Sequence, residues 1–91
     1  MTPETKKMVR GRLARIEGQV RGLAQMVDHD RYCIDVITQV RAARAALAKV
    51  EQIMLADHLG SCVEAAMDSG DPKQQRAMVA ELITVLGRAD R

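Results

Sequence analysis

The feature that most constrains this chain is a long central stretch without any residue that breaks a helix. Neither glycine nor proline occurs between Tyr32 and Leu59, and the run RAARAALAKVEQIM consists mostly of strong helix formers. Gly60 weakens the stretch without necessarily ending it, whereas DSGDP at residues 68–72 is a clear turn. The sequence therefore predicts one long helix over residues 31–67.

A helix is predicted on either side of this stretch. Thr2 and Asp71 are suitable N-caps, and each is followed by a proline, which favours the first helical position. Helices are therefore expected over residues 3–27 and 72–88, and the aspartates of the DHDR segment at residues 28–31 separate the first helix from the second.

Apolar residues recur at alternating steps of three and four along the first two helices, as in a coiled-coil seam. The seam residues are Val9, Leu13, Ile16, Val20, Leu23 and Val27 on the first helix and Val36, Val40, Ala43, Leu47, Val50 and Met54 on the second. The apolar face of the third helix contains Met78, Val79, Leu82, Ile83 and Leu86. No segment has strand periodicity, so the predicted fold class is all-α with three helices per protomer.

The small size of the chain favours assembly. Its 91 residues form a single predicted domain, residues 1–91, which alone buries only a modest share of its apolar surface. Two cysteines cannot build a disulfide scaffold, and no paired C-x-x-C motif predicts structural zinc. We therefore expect a homo-oligomer in which long helices of two protomers pair as an antiparallel four-helix-bundle dimer.

The N-terminal segment lacks the apolar core of a signal peptide, and no stretch approaches the roughly 18 to 20 apolar residues that span a bilayer. We expect a cytoplasmic protein that does not bind membranes. Because cytosolic thiols are kept reduced, Cys33 and Cys62 are expected to be free thiols or metal ligands.

Charge is distributed unevenly along the chain. Residues 1–49 contain ten Lys and Arg against five Asp and Glu, about +5, whereas the remainder contains four against seven, about −3. An N-terminal half of this kind favours a polyanionic partner, although a charged helix face can also be merely solvated. Tyr32 is the only aromatic residue, which excludes a base-stacking surface for single-stranded nucleic acid.

Cys33, His58 and Cys62 lie on one stripe of the long helix. At about 100° per residue, His58 lies at about 340° and Cys62 at about 20° from Cys33. Yet Cys33 and His58 would be about 37 Å apart along one helix, so a single chain cannot join them. In an antiparallel pair, Cys33 of one protomer lies beside His58 and Cys62 of its neighbour, and twofold symmetry creates two equal sites.

Two thiolates and one imidazole suit copper(I), which accepts three ligands, better than zinc or nickel. Cysteines on an apolar stripe are also common as small buried hydrophobes. His58 weighs against simple packing, because an imidazole on such a stripe needs a partner. From spacing alone, a metal or thiol-reactive site and ordinary core packing remain equally open.

Four segments resemble the copper-sensitive operon repressor family: RLARIEGQVRGLAQMV, YC, DHLGSC and AELI. The resemblance covers essentially the whole chain. It implies a dimer of dimers that represses transcription and releases double-stranded operator DNA when copper(I) binds Cys33 of one protomer and His58 and Cys62 of its neighbour.

The resemblance also implies roles for other residues. Tyr32 and Glu81 match positions that surround the metal ligands and connect the histidine to the third helix. Arg12 and Lys49 match the family's basic DNA-contacting positions, and Arg15 and Arg44 are their neighbours. The contacts are expected to be mainly to phosphates, with sequence preference from DNA shape.

Other branches of the same family sense nickel or cobalt, persulfide or formaldehyde. The nickel type has a histidine near the N-terminus and another in place of Cys62, and the persulfide type lacks the equivalent of His58. The formaldehyde type exposes a proline after loss of methionine, where this chain would expose Thr2. These alternatives stay open, as does a nickel sensor with cysteine at the last ligand position.

From a different functional class, a copper-buffering helical bundle without DNA binding is the alternative. A thiol enzyme is not expected, because the sequence offers no identifiable oxyanion donors and no third group to orient a Cys–His pair.

Overall fold

The computed structural model describes residues 1–88, and every regular element within them is helical. Helix α1 spans Pro3–Asp28 and α2 spans Cys33–His58. A π-helical segment, Leu59–Val63, follows directly, and then come α3 at Glu64–Asp68 and α4 at Pro72–Arg88. The all-α fold class is confirmed. The single helix expected over residues 31–67 is instead divided into three consecutive helical segments.

Both predicted N-caps are present. The Thr5 N–H donates to Thr2 Oγ1 at 3.1 Å, ahead of Pro3 at the first position of α1. At the start of α4, the Lys73 N–H donates to Asp71 Oδ1 at 3.0 Å. Each side chain satisfies one of the amide donors that a helix start leaves unpaired, so these two boundaries follow from local chemistry.

Helix α2 begins two residues later than predicted. The expectation was that Asp28 or Asp30 would both end α1 and cap α2, but Asp30 adopts the left-handed conformation with φ 51°. A residue in that conformation cannot continue a right-handed helix. The first α2 hydrogen bond runs from the Val36 N–H to the Tyr32 carbonyl at 3.2 Å.

The π-helical segment has a local explanation. Ser61 Oγ donates at 2.9 Å to the Asp57 carbonyl, which in an α-helix accepts from the Ser61 N–H. Gly60, one residue earlier, has a low intrinsic preference for the α-helix. Together, Gly60 and Ser61 weaken the α-helical hydrogen bonds at the point where α2 changes into the π-helical segment.

Residues Met1–Leu55 form one compact unit. Its core is a cluster of Val9 and Ile16 from α1 with Val50 from α2, all at most 6% exposed, against which Ala46 and Ile53 pack. The N-terminal half of α1 thus contacts the C-terminal part of α2, as in an antiparallel helical hairpin. Val9, Ile16 and Val50 are seam positions that the periodicity predicted, whereas Ala46 and Ile53 were not predicted as part of the seam.

Half of the predicted seam remains uncovered within the chain. Leu13, Val20, Val27, Val40, Leu47 and Met54 are all exposed, with exposed fractions from 40% to 62%. In a hairpin of two helices, each helix covers only part of the apolar seam of the other. A second partner surface for the stripe must therefore come from outside this hairpin if these residues are to be buried.

The second compact unit runs from Ala56 onward. In its described part, the π-helical segment and α3 contact α4, and Ala66 is buried. The turn before α4 places Gly70 in the left-handed region at φ 65°. Ser69 Oγ donates to the Ala66 carbonyl at 2.6 Å and accepts from the Asp71 N–H at 3.1 Å, which fixes this turn.

Among residues 1–88, no helix is both long enough and apolar enough to cross a membrane.

Candidate metal centre

His58 is the last residue of α2, and its side chain is 30% exposed. Its Nε2 lies 3.9 Å from Glu81 Oε1 on α4. That distance exceeds a hydrogen bond but places a carboxylate beside one ring nitrogen. The other ring nitrogen, Nδ1, is therefore the one that can accept a metal without displacing Glu81.

Cys62 lies in the π-helical segment, four residues after His58. Its thiol is free and exposed, and Sγ lies 3.7 Å from Ser61 Oγ. Because the Ser61 hydroxyl already donates to the Asp57 carbonyl, its lone pairs are available to the Cys62 thiol. The local structure thus presents an accessible sulfur four residues after His58, in the helical segment that directly follows α2.

Cys33 is the first residue of α2 and belongs to the other compact unit. Its thiol is also free and exposed, and Tyr32 beside it is 68% exposed. Within residues 1–88 of a single chain, no three His, Cys, Asp or Glu side chains form a group that could hold a metal ion. The structure therefore brings Glu81 to His58, and it leaves Cys33 and Tyr32 on a separate unit.

The available donors are suited to a thiophilic metal. Two exposed thiols and one imidazole nitrogen supply soft sulfur and intermediate nitrogen ligands, the combination that copper(I) accepts in a three-coordinate site. Neither cysteine is buried, so the alternative of small core residues does not describe them within the chain. The donor types of Cys33, His58 and Cys62 are those that copper(I) favours.

The four residues expected to contact DNA all lie in the first compact unit. Arg15, Arg44 and Lys49 are exposed, and Arg12 is half-buried along α1. Three of the four cationic side chains are thus accessible to a polyanion, and Arg12 is less exposed than the others. Contact with DNA remains a prediction for each of them.

Sequence reasoning did not identify the π-helical segment or the role of Ser61. The signal was present in DHLGSC, where a glycine is followed by a serine that can bond back to the carbonyl four residues earlier. Such a pair weakens an α-helix, but it does not by itself specify a π turn. The actual hydrogen bonds depend on how the following residues pack against α4.

Comparison with known proteins gives a consistent result. Residues 5–88 match the family described as metal-sensitive transcriptional repressor. The chain is 45% identical over 80 residues to the copper-sensing transcriptional repressor CsoR of Bacillus subtilis, covering 88% of this chain and 76% of the relative. It is 51% identical over 61 residues to the copper-sensing repressor RicR of Mycobacterium tuberculosis, covering 67% of this chain and 64% of RicR, just under two thirds of that relative.

Solved structures show the same fold. The copper-sensing repressor CsoR with Cu(I) from Geobacillus thermodenitrificans superposes with a TM-score of 0.81 at 38% identity, covering 97% of this chain and 92% of that one. The nickel-responsive regulator InrS gives 0.77 at 38% identity, covering 91% and 90%. The E64H variant of the formaldehyde-responsive regulator FrmR from Salmonella enterica gives 0.77 at 29% identity, covering 97% of each chain.

Proposed function

Because this chain belongs to the family of metal-sensitive transcriptional repressors, we propose that it is a copper(I)-responsive repressor that releases operator DNA when the metal binds. It acts in the cytoplasm as a regulator and not as an enzyme. Its partners are double-stranded operator DNA and further copies of itself, arranged as a dimer of dimers.

The observation that carries the copper assignment is the donor set. His58 ends α2 and Cys62 lies four residues later in the π-helical segment, Cys62 is a free exposed thiol, and Glu81 lies beside the Nε2 of His58. Two relatives with at least 45% identity are copper-sensing repressors, and a CsoR structure with Cu(I) has the same fold. A nickel site would favour more nitrogen and oxygen ligands than these residues offer.

The third ligand is Cys33 of a neighbouring protomer. Cys33 belongs to a different compact unit from His58 and Cys62, and the helix between them is too long for one chain to join its two ends. An antiparallel neighbour places its Cys33 beside the other two ligands, which makes metal binding depend on assembly. Copper(I), when bound, would supply a three-coordinate centre that joins the two protomers.

Glu81 connects the site to α4. When His58 Nδ1 is a metal ligand, the proton of the neutral ring must lie on Nε2, which becomes a fixed donor facing the Glu81 carboxylate. Closing the present 3.9 Å separation to hydrogen-bond distance would draw α4 and the end of α2 together. Tyr32, next to Cys33 on the neighbouring protomer, is the other residue expected to surround the metal ligands.

DNA binding is assigned to Arg12, Arg15, Arg44 and Lys49, which form part of the basic N-terminal half. No helix within residues 1–88 resembles one that reads base edges, so these residues contact phosphates, and sequence preference comes from DNA shape. Affinity therefore falls steeply as salt rises. By linkage, DNA weakens copper binding by the same factor as copper weakens DNA binding.

The decisive experiment is an anaerobic titration of the protein–DNA complex with copper(I), nickel(II), zinc(II), a persulfide donor and formaldehyde in parallel. Copper(I) is expected to lower DNA affinity by about 10- to 100-fold, within the usual range of allosteric coupling. Cys33→Ala, His58→Ala and Cys62→Ala should each abolish this release while retaining DNA binding. His29→Ala, an exposed histidine of the turn between α1 and α2, is the matched control and should respond like wild type.

Release by nickel(II) or formaldehyde but not by copper(I) would refute the copper assignment and leave the repressor assignment standing. Tight copper(I) binding without any salt-sensitive binding to the operon's own promoter DNA would instead support a copper-buffering bundle.

A further inference from the structure

A shallow groove runs along the outer side of α1 within the first compact unit. It encloses about 500 Å³ and is lined by Glu4, Lys7, Met8, Gly11, Arg12 and Arg15. Three of its six lining residues are cationic and one is anionic. The groove is therefore a positively charged surface of α1. The buried residues of this helix, Val9 and Ile16, lie on a different face.

Helix geometry places the groove on the surface opposite the core. At about 100° per residue, Lys7, Gly11 and Arg15 lie within about 80° of one another, whereas Val9 and Ile16 are centred on the far side. The three groove residues follow one another at intervals of four, or about 6 Å along the axis. Lys7 and Arg15 thus place two cationic groups in one row on either side of Gly11, and a linear polyanion can lie along this row.

Gly11 forms the gap between Lys7 and Arg15, and no contact among residues 1–88 requires a glycine there. A Cβ at this position would meet no atom within 4 Å, and Gly11 does not adopt a positive φ. Glycine in a helix interior is destabilising relative to alanine, because it loses more conformational freedom on folding. A use outside the chain, the close approach of another backbone, would account for it.

We propose that this groove holds the phosphate backbone of the operator DNA, with Lys7 as a third contact beside Arg12 and Arg15 and Gly11 as the floor that permits close approach. The inference rests on the proposed function and extends it to two residues not previously assigned. Charge complementarity selects DNA as the occupant. A packing helix would leave three cations facing a surface whose only large apolar side chain is Met8.

Lys7 is tested against Lys6, a lysine of the same helical turn that does not line the groove. Lys7→Ala is expected to lower affinity for a duplex of the operon's own promoter region by about three- to tenfold near 0.1 M salt. It should also reduce the slope of log affinity against log salt by about 0.9 for each protomer that touches DNA. Lys6→Ala should change affinity less than about twofold and leave the slope unaltered.

Glu4→Gln provides a test of opposite sign. Because its carboxylate repels a phosphate in the groove, removing this charge should tighten binding of the same duplex. Equal effects of Lys7→Ala and Lys6→Ala, together with no gain from Glu4→Gln, would mean that only the overall charge of the helix matters and would overturn the groove assignment.

Gly11 is tested against Gly22, which also has open space around a Cβ. A Cβ at either position meets nothing within 4 Å, and glutamine favours a helix more than glycine does, so Gly11→Gln and Gly22→Gln should both melt at or above the wild-type temperature. Only Gly11→Gln should lose DNA affinity, by at least about tenfold, because its side chain fills the floor of the groove.

Two further measurements separate this inference from the proposed function. Sedimentation should show an unchanged oligomer for Gly11→Gln, and copper(I) affinity without DNA should match wild type. Dissociation of the oligomer would instead identify the groove as an interface between copies and overturn the proposal. Wild-type protein that binds no DNA would refute the proposed function, whereas normal DNA binding by Lys7→Ala and Gly11→Gln would refute only the groove.

Discussion

At the scale of single residues, His58 has the largest predicted influence. It lies at the end of α2, half-buried, with one ring nitrogen 3.9 Å from Glu81 on α4 and the other available as a ligand. An imidazole is the only side chain that can offer one nitrogen to a metal while donating from the second. Metal binding at one nitrogen of His58 can therefore strengthen the interaction of the other nitrogen with Glu81 and move α4 toward His58.

Glu81→Gln should separate binding from response. Glutamine keeps the size of the side chain but removes the charge that attracts the Nε2–H, so the bond that draws α4 toward His58 weakens. Copper(I) affinity of the free protein is expected to fall by no more than about tenfold, the lower end of the range for such outer residues. DNA release by copper(I) should fall by a larger factor, as measured by fluorescence anisotropy with and without metal. Glu64→Gln, an exposed glutamate of α3, is the control, and an equal loss of release in this variant would contradict a specific role for Glu81.

At the scale of elements, the turn between α3 and α4 positions Glu81. Gly70 occupies the left-handed region at φ 65°, and Ser69 bonds on both sides of it. This turn reverses the chain so that α4 contacts α3 and the π-helical segment. The contact between Glu81 and His58 therefore depends on backbone geometry some ten residues away from either side chain.

Gly70→Ala should destabilise the fold by about 1–2 kcal/mol, because a Cβ disfavours the left-handed conformation. Gly60→Ala is the matched control, since a Cβ there meets nothing within 4 Å and φ is not positive. This control should be neutral or stabilising by up to about 1 kcal/mol. Urea unfolding at one fixed protein concentration measures both values, and equal stabilities for the two variants would contradict the role assigned to the turn.

At the scale of the whole molecule, the uncovered part of the apolar seam is the main feature. Val9, Ile16 and Val50 are buried inside the hairpin, whereas Leu13, Val20 and Leu47 on the same seams are at least 43% exposed. Burial of apolar surface stabilises by about 25 cal/mol per Å², so these residues favour association with another copy. The proposed four-helix-bundle dimer would bury them and would bring Cys33 to its partner ligands.

Leu47→Asp should therefore weaken assembly, because it places an unpaired charge in the proposed interface. Ala45→Asp puts the same charge on the opposite side of α2, at an exposed position, and should leave the oligomer intact. Sedimentation velocity at matched concentrations distinguishes them, and an intact oligomer in Leu47→Asp would exclude this seam from the interface.

Ligand sharing between protomers predicts complementation. Cys33→Ala and Cys62→Ala each lack a copper(I) site when pure, but a mixed dimer contains one intact site and one site that lacks both sulfurs. Mixing the two variants under conditions that allow exchange of protomers should restore high-affinity copper(I) binding in up to about a quarter of all sites, since half of the dimers are mixed. No recovery after verified exchange would show that the ligands are not shared in this way.

The sequence by itself determined the features that act within a few residues. Helical periodicity predicted the all-α class and the buried positions Val9, Ile16 and Val50, and cap chemistry predicted the starts of α1 and α4. Each of these outcomes depends on steric and hydrogen-bonding preferences that operate over a single turn, so they can be read without knowing the rest of the fold.

Only the tertiary structure decided the rest. Two local backbone features were also not predicted: the left-handed Asp30, which delays α2, and the π-helical segment, which follows α2 and contacts α4. The approach of Glu81 to His58 depends on how the Gly70 turn directs α4, and the groove of Lys7 and Gly11 depends on which side of α1 is covered. The position of Glu81 and the covered side of α1 arise from contacts between residues far apart in the chain, whose free energies are settled together when the helices pack.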